Sequence, residues 1–409
     1  MKASEIGQIV RVRRPELDRG RRLVANCHDI NDLRRWAKRA LPRGVFDYLE
    51  GGADEETTTH DNINAFRQWQ FHPSALADVA AAQTDIEFLG RSLPLPLALA
   101  PTGYSRMMHP LGEVAVARAA AAAGVPYTLS TVATSSVEDV AAAMKSASDD
   151  PMLWMQLYLF RDREQSWRLL ERAYAAGASV LEFSVDTAVA GRRVRDQRNG
   201  FTIPPSLTPL TVLEMGLHPR YWTSMVRSPA LTFANFQGDG DSTIASITSQ
   251  FDSSLTWDDV RAVRDKWPGR LSVKGPLSPD DARRAIDAGV DIVHLSNHGG
   301  RQLDRCVPTI DLVAPARAAI GTAPLIIDSG VRHGMDIAIA IALGADLVAV
   351  GRPYLYGLAA AGEVGVSHSI SLLQSQLLRT LQLVGVTSVA ELRDRGAELV
   401  RRAEGRIDD

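Results

Sequence analysis

At 409 residues the chain is long enough for one large domain or two modest ones, and 45% apolar with 23% charged residues is an ordinary globular composition. A formal net charge of −3 argues against nucleic acid or other polyanions as main partners. The two cysteines, Cys27 and Cys306, rule out a thiolate metal cluster, and no apolar run reaches the roughly 18 residues of a membrane span.

From the N-terminus, residues 1–28 carry seven Lys and Arg (Lys2, Arg11, Arg13, Arg14, Arg19, Arg21, Arg22) against three acids, which predicts a solvated, flexible basic arm. No apolar signal core is present there, so a cytoplasmic protein is expected, peripheral contact with an anionic membrane surface being the alternative. Residues 29–70 read as helices, the first capped by Asp29 or Asn31. Beyond them one unit recurs: an alanine-rich amphipathic helix, a glycine, then a short apolar strand. It appears as VARAAAAAGVPYTLS, LLERAYAAGASVLEFSVD, ARRAIDAGVDIVHLSN and IAIALGADLVAVGR. Gly124, Gly177, Gly289 and Gly344 fall just past each helix, where a left-handed backbone suits glycine.

The near-continuous apolar strands that follow predict parallel strands covered on both faces. Strands are expected to begin near 96, 125, 152, 179, 270, 290, 324 and 346. Eight such units predict an α/β fold of the (β/α)8 TIM-barrel type with an N-terminal helical extension. No glycine-rich dinucleotide fingerprint follows the first strand, which disfavours an open doubly wound sheet. The long interval after strand four holds an insertion over roughly 200–255, rich in proline and containing GDGDST. Its segment LTVLEMGLHPRYWTSMV reads equally as a lid, a subunit contact or a membrane-surface patch. One domain is expected over 29–390, followed by a C-terminal helix or tail over 391–409.

Chemistry in such barrels lies at the C-terminal ends of the strands. Those positions hold Ser130, Gln156, Tyr158, Ser184, Asp186, Lys274, His298, Arg301, Asp328 and Arg352. Lys274 and Asp328 each end an apolar run, and a buried charge is costly unless it is paired or ligand-bound. SNHGGRQLD, residues 296–304, sets an imidazole and a guanidinium on one tight turn. A base beside a fixed cation suits a small acid that loses a proton while its carboxylate is held. DSGVRHG and GRP, after strands seven and eight, place backbone N–H groups with Arg332 or Arg352 at the usual phosphate position of these barrels. His294, His298 and His333 lack HxH pairing and no acidic cluster has metal spacing, so no metal is expected. Cys306 reads as a packed or exposed thiol, not a nucleophile.

Together with FDYLEGGADEE, APTG, TLSTVATSS, QLY, SVDTAVAGRR, VKG, DSGVRHG and GRPYLYGLA, the motif SNHGGRQLD resembles those of the FMN-dependent L-2-hydroxy-acid oxidases and dehydrogenases. That family includes glycolate oxidase, L-lactate dehydrogenase and mandelate dehydrogenase, and the resemblance covers about residues 29–390. It implies FMN as cofactor, His298 as the active-site base and Asp186 as its carboxylate partner. Arg301, Arg193, Tyr48 and Tyr158 are implied at the substrate. Flavin-ring contacts are implied for Thr102, Gly103, Ser130, Gln156, Ser184 and Lys274. Ribityl and phosphate contacts are implied for Asp328, Ser329, Gly330, Arg332, Gly351 and Arg352.

Ser184, Ser329 and His333 stand where many members have threonine, glycine and arginine. Val132 and Ala190 replace an aromatic residue and a leucine of glycolate oxidase, which implies a roomier side-chain pocket and weakens glycolate as substrate. Oxidation of L-lactate to pyruvate is the first expectation, and mandelate or a larger 2-hydroxy acid the alternative. An FMN-dependent isoprenoid diphosphate isomerase is a distant alternative, disfavoured because it needs no carboxylate-clamping Arg301 and Arg193. A non-catalytic flavin protein is disfavoured by the intact Asp186 and His298. No cytochrome domain precedes the barrel, so electrons are expected to pass to oxygen or a quinone-type acceptor. A homo-oligomer, commonly a tetramer, is also implied.

Overall fold

The computed structural model describes residues 16–199, 216–236, 251–275 and 278–403. Among the described residues four helices come first: α1 (Arg19–Val24), α2 (Ile30–Ala40), α3 (Arg43–Glu50) and α4 (Thr57–Phe66). Asp29 caps α2 by accepting the Asp32 N–H at 2.7 Å, which satisfies one orphan donor of its first turn. Of the arm expected over 1–28, residues 1–15 lie outside the described residues; from Arg19 the chain is helical, and Val24 and Cys27 are buried.

Two small antiparallel pairs precede and flank the barrel. β1 (Trp69–Phe71) pairs with the C-terminal strand Val400–Arg402, while β2 (Ile86–Phe88) and β3 (Arg91–Leu93) form a hairpin. Eight parallel strands then close a barrel: β4 (Leu97–Leu99), β5 (Tyr127–Leu129), β6 (Leu153–Leu157), β7 (Val180–Ser184), β8 (Arg270–Gly275), β9 (Ile292–Leu295), β10 (Leu325–Ile327) and β11 (Leu347–Val350). The ring closes where β11 pairs with β4, Val348 opposite Leu97. Every strand begins within two residues of its expected start.

Eight helices follow the strands in turn: α5 (Gly112–Ala122), α6 (Val137–Lys145), α7 (Arg163–Ala175), α8 (Trp257–Lys266), α9 (Pro279–Asp287), α10 (Val313–Ile320), α11 (Gly334–Ala342) and α12 (Arg352–Val384). Gly124, Gly177, Gly289 and Gly344 have φ of +66°, +98°, +88° and +110°, so the glycines do provide the left-handed step between helix and strand. In the long β7–α8 interval the short helices Val194–Arg198 and Pro219–Val226 are formed. The rest of the expected insertion, 200–215 and 237–250, lies outside the described residues.

Alternate side chains of a barrel strand point inward and outward. The outward set packs under the helices in one continuous core. A separate apolar cluster, which includes Trp154, Val180, Ile292, Ile326 and Leu347 with Phe88 and Leu93 of the β2–β3 hairpin, fills the N-terminal end of the barrel. The opposite end, where the strands deliver their polar residues, is the mouth.

Candidate active site

The turn after β9 has an unusual backbone. His298, Gly299 and Gly300 have φ of +57°, +65° and +76° in succession. Glycine adopts this region freely, whereas a histidine there is strained and must be held. Asn297 holds it: its side-chain oxygen accepts the Gly300 N–H, and its amide pairs reciprocally with that of Asn62 at 2.7 and 2.8 Å. Asp304 accepts the Thr58 N–H at 2.8 Å, tying the turn to the start of α4. Gln302 donates to the carbonyls of Asp186 and Val189, both at 3.0 Å, and so clamps the β7 loop to the same turn.

That clamp delivers Asp186 to His298. Nδ1 of His298 lies 3.0 Å from Asp186 Oδ2, whose side chain is 2% exposed, and Nε2 faces the cavity 3.5 Å from the Tyr158 hydroxyl. An Nδ1–H donated to the carboxylate leaves Nε2 as the accepting nitrogen. Burial alone would raise the Asp186 carboxyl, but the His298 imidazole and Lys274 outweigh it and hold the group below the usual carboxylate range. Burial, reinforced by Asp186, pushes the Tyr158 phenol well above its ordinary value, so it remains a protonated donor.

Four arginines face this cavity in two pairs. Arg301 donates to the Tyr48 and Gly51 carbonyls, each at 2.8 Å. Arg352 donates to Leu49 at 3.2 Å and to Gly51 and Gly299 at 2.9 Å. The last carbonyls of α3, orphaned by the end of the helix, thereby find cationic partners. Arg193 and Arg301 also stand 5.3 and 5.0 Å from the centre of the Tyr48 ring. Burial and then the neighbouring Arg193 push Arg301 down to about 10. Burial likewise lowers Arg352, with Arg332 beside it adding to the effect. Arg301 and Arg352 thus each sit beside a second arginine, a like-charge repulsion that an anion would relieve; Arg193, 29% exposed, is also 3.4 Å from Asp196 Oδ2.

Between the pairs, Lys274 Nζ lies 3.1 Å from Asp328 Oδ2 and donates to Ser296 Oγ at 2.7 Å. Ser329, at φ +74°, occupies a conformation where glycine is unstrained; its hydroxyl donates to Asp328 at 2.7 Å and accepts the Gly299 N–H at 3.0 Å. The Tyr354 hydroxyl bonds Ala100 O at 2.8 Å and Thr102 Oγ1 at 2.6 Å, fixing the APTG segment. A Cβ on Gly103 would come within 2.6 Å of the Val132 side chain, so that segment admits no larger residue without movement. α12 begins at Arg352 with no side-chain cap from Gly351, which leaves its first-turn N–H groups for an anion.

One cavity brings together Tyr48, Thr102, Gly103, Ser130, Tyr158, Arg193, Lys274, His298, Arg301, Asp328, Ser329, Gly330, Arg332, Gly351 and Arg352. Asp186 stands behind His298. Gln156 and Ser184 do not line the cavity: Gln156 donates to Ser184 Oγ at 3.2 Å and accepts from the Thr131 N–H at 3.0 Å and from Ser130 Oγ at 3.3 Å, one layer beneath the surface. Asn297, Gln302, Asp304 and Tyr354 received no role from the sequence, although the first three stand inside SNHGGRQLD. Among the described residues no group of three His, Cys, Asp or Glu is placed to hold a metal ion.

A phosphate at the α12 N-terminus with Arg332 and Arg352, and a polar ring between Thr102–Gly103 and Lys274, is the arrangement that fits these donors. The comparisons with known proteins agree. Residues 37–399 match the family model for FMN-dependent dehydrogenases, and the chain belongs to that family. It is 43% identical over 399 residues to a protein of Mycobacterium tuberculosis provisionally named L-lactate dehydrogenase, covering 97% of this chain and 95% of the relative. It is 41% identical over 371 residues to (S)-mandelate dehydrogenase of Pseudomonas putida, covering 90% and 93%. A crystal structure of a monotopic membrane protein, (S)-mandelate dehydrogenase, superposes with a TM-score of 0.87 at 40% identity, covering 92% of this chain and all of that one. The chain is therefore an FMN-dependent 2-hydroxy-acid dehydrogenase or oxidase built on a (β/α)8 barrel.

Proposed function

We propose that the chain oxidises an L-2-hydroxy acid to the 2-oxo acid, with His298 as the base. The observation that carries this reading is the placement of His298 Nε2 in the same cavity as two separate arginine pairs, one for a carboxylate and one for a phosphate. Bound FMN supplies the acceptor for the two electrons that leave with the Cα hydrogen. Arg301 and Arg193 hold the substrate carboxylate in a forked geometry, and Tyr48 and Tyr158 complete its orientation. His298 Nε2 takes the hydroxyl proton, and Asp186, fixed on Nδ1, stabilises the resulting imidazolium. Lys274 sets positive charge at the ring end of the cavity, while Arg332, Arg352 and the α12 N-terminus hold the phosphate.

L-lactate is the first substrate, supported by the similarity to lactate dehydrogenases. A second reading, an aryl 2-hydroxy acid, rests on a specific wall: Tyr104 and Phe233 line the cavity with ring centres 4.6 Å apart, edge to face, beside the small Val132 and Ala190. Phe233 is anchored, because Arg106 donates to the Pro229 and Ala230 carbonyls and the Asn235 side chain accepts the Val137 N–H. Anaerobic mixing of the yellow holoenzyme with L-lactate and with (S)-mandelate tests both. Bleaching by L-lactate at the lower concentration supports the first reading, bleaching by mandelate the second, and bleaching by neither L-acid overturns the function.

Among the described residues no helix is long and apolar enough to cross a membrane. Peripheral attachment is supported by the monotopic relative and by the edge of helix Pro219–Val226, where Leu217 and Val226 are 73% and 82% exposed. Cosedimentation with anionic lipid vesicles should be lost in a Leu217→Ser/Val226→Ser variant; equal cosedimentation of the two proteins refutes this surface.

A further inference from the structure

Trp154, Val180, Ile292 and Ile326 belong to the apolar floor of the barrel. Two residues further along the same strands stand Gln156, Glu182, His294 and Asp328, and on β8 Ser272 precedes Lys274 by the same step. On these five strands the layer between floor and mouth is therefore polar, at a level where such barrels ordinarily pack branched apolar side chains, whereas the same step on β11 and β4 leads to the apolar Ala349 and Ala100. Glu182 and His294 are each 1% exposed, and His294 Nδ1 lies 2.7 Å from Glu182 Oε2. Its Nε2 is 3.5 Å from Asp328 Oδ2, an ion-pair separation longer than a good hydrogen bond. Asp328 Oδ2 is in turn 3.1 Å from Lys274 Nζ. Glu182, His294, Asp328 and Lys274 thus form a line of alternating charge, and its last two members reach the cavity.

A buried ion pair is poor evidence of stabilisation, because apolar residues of similar volume usually serve as well or better. Neither Glu182 nor His294 touches the His298–Asp186 couple or lines the cavity, so the pair calls for another use. His294 Nε2 has no hydrogen-bond partner among the described residues, which leaves Asp328 as the group that feels the ring's charge.

We propose that His294, held by Glu182, is a positioning residue that acts through Asp328 and Lys274 to raise the reduction potential of bound FMN. Left alone, Asp328 neutralises much of Lys274. A cationic His294 on its other side draws on the same carboxylate, so Lys274 presents more of its charge to the ring end of the cavity and favours the reduced cofactor. The proposal rests on the assignment of Lys274 to the flavin. Burial disfavours a charged His294, but Glu182 and Asp328 outweigh it and hold the imidazole above the ordinary histidine range. The charged groups that face it are Glu182 from β7 and Asp328 from β10, with Lys274 of β8 behind Asp328.

Two double variants test this without leaving one charge buried alone. Glu182→Leu/His294→Val fills the layer as an ordinary barrel does, and Glu182→Gln/His294→Gln keeps it polar without charge. In either folded variant FMN should be retained and KM unchanged, while the equilibrium constant for flavin reduction falls about tenfold, ~30 mV for a two-electron couple. The rate of flavin reduction should fall with it. The thermal stability of the holoenzyme offers an independent reading. Because the folded pKa of His294 is raised, its stabilisation is complete below about 6.5, the ordinary histidine value, and is lost as pH rises through the raised value. The wild type should therefore lose Tm relative to the charge-free variant over that window. A wild-type midpoint potential in a folded double variant, or a Tm difference that does not change with pH, overturns the proposal. Lys274→Met separates it from the reading beneath it: an unchanged midpoint there removes the lysine assignment. A midpoint lowered in Lys274→Met but unchanged in the double variants removes only the His294–Glu182 proposal.

Discussion

His298→Ala should lower kcat by roughly 100- to 10,000-fold and leave the protein yellow. The expectation follows from the division of labour in the cavity. Nδ1 of His298 is committed to Asp186, and Nε2 points to the substrate side. The groups proposed to hold FMN come from other elements, Lys274 on β8, Arg332 after β10 and Arg352 at the start of α12. Losing one ordinary hydrogen bond costs about 1 kcal/mol, less than tenfold in rate, so the size of the effect separates a proton acceptor from an orienting contact. Anaerobic flavin reduction by the substrate, compared with flavin content after purification, makes the measurement. A variant within tenfold of wild type sinks the assignment of the base.

Arg301→Lys keeps the charge and removes the fork. A lysine cannot hold the Tyr48 and Gly51 carbonyls and still offer two parallel donors to a carboxylate, whereas arginine has five N–H donors to divide. We expect kcat/KM to fall about hundredfold, ~3 kcal/mol, through a higher KM and a lower kcat together. Steady-state kinetics with FMN content and Tm measured alongside decide the matter. Wild-type kinetics would refute carboxylate binding, and a lower Tm with wild-type kinetics would make Arg301 only a fastener for α3.

The barrel was legible because each β/α unit repeats a local signal. An apolar run after a glycine needs no distant partner to be recognised, and Gly124, Gly177, Gly289 and Gly344 mark four of the joins. Strand ends were legible for the same reason, since Lys274 and Asp328 interrupt apolar runs; they prove to be one ion pair from two strands. Glu182 was not legible. A single acid in VLEFS looks like an outward-facing residue, and only closure of the barrel brings it to His294, 112 positions away. Nor could the sequence show what Arg301 and Arg352 fasten to, because their partners are main-chain carbonyls, which every residue possesses. Asn297, Gln302 and Asp304 were visible inside the motif, yet their work is to hold a left-handed turn whose strain no sequence pattern states.

The fastening of α3 also bears on when the mouth can exist. Arg301 reaches back 253 and 250 residues to Tyr48 and Gly51, and Arg352 reaches back 301 and 303 residues to Gly51 and Leu49. During synthesis α3 emerges among the first elements and must wait for nearly the whole barrel before its carbonyls are met. Contacts of such sequence separation form late, after most of the chain entropy has been surrendered. Docking of α3 therefore sets the positions of both arginines, and a barrel begun at β4 would lack the ledge on which Arg301 and Arg352 rest.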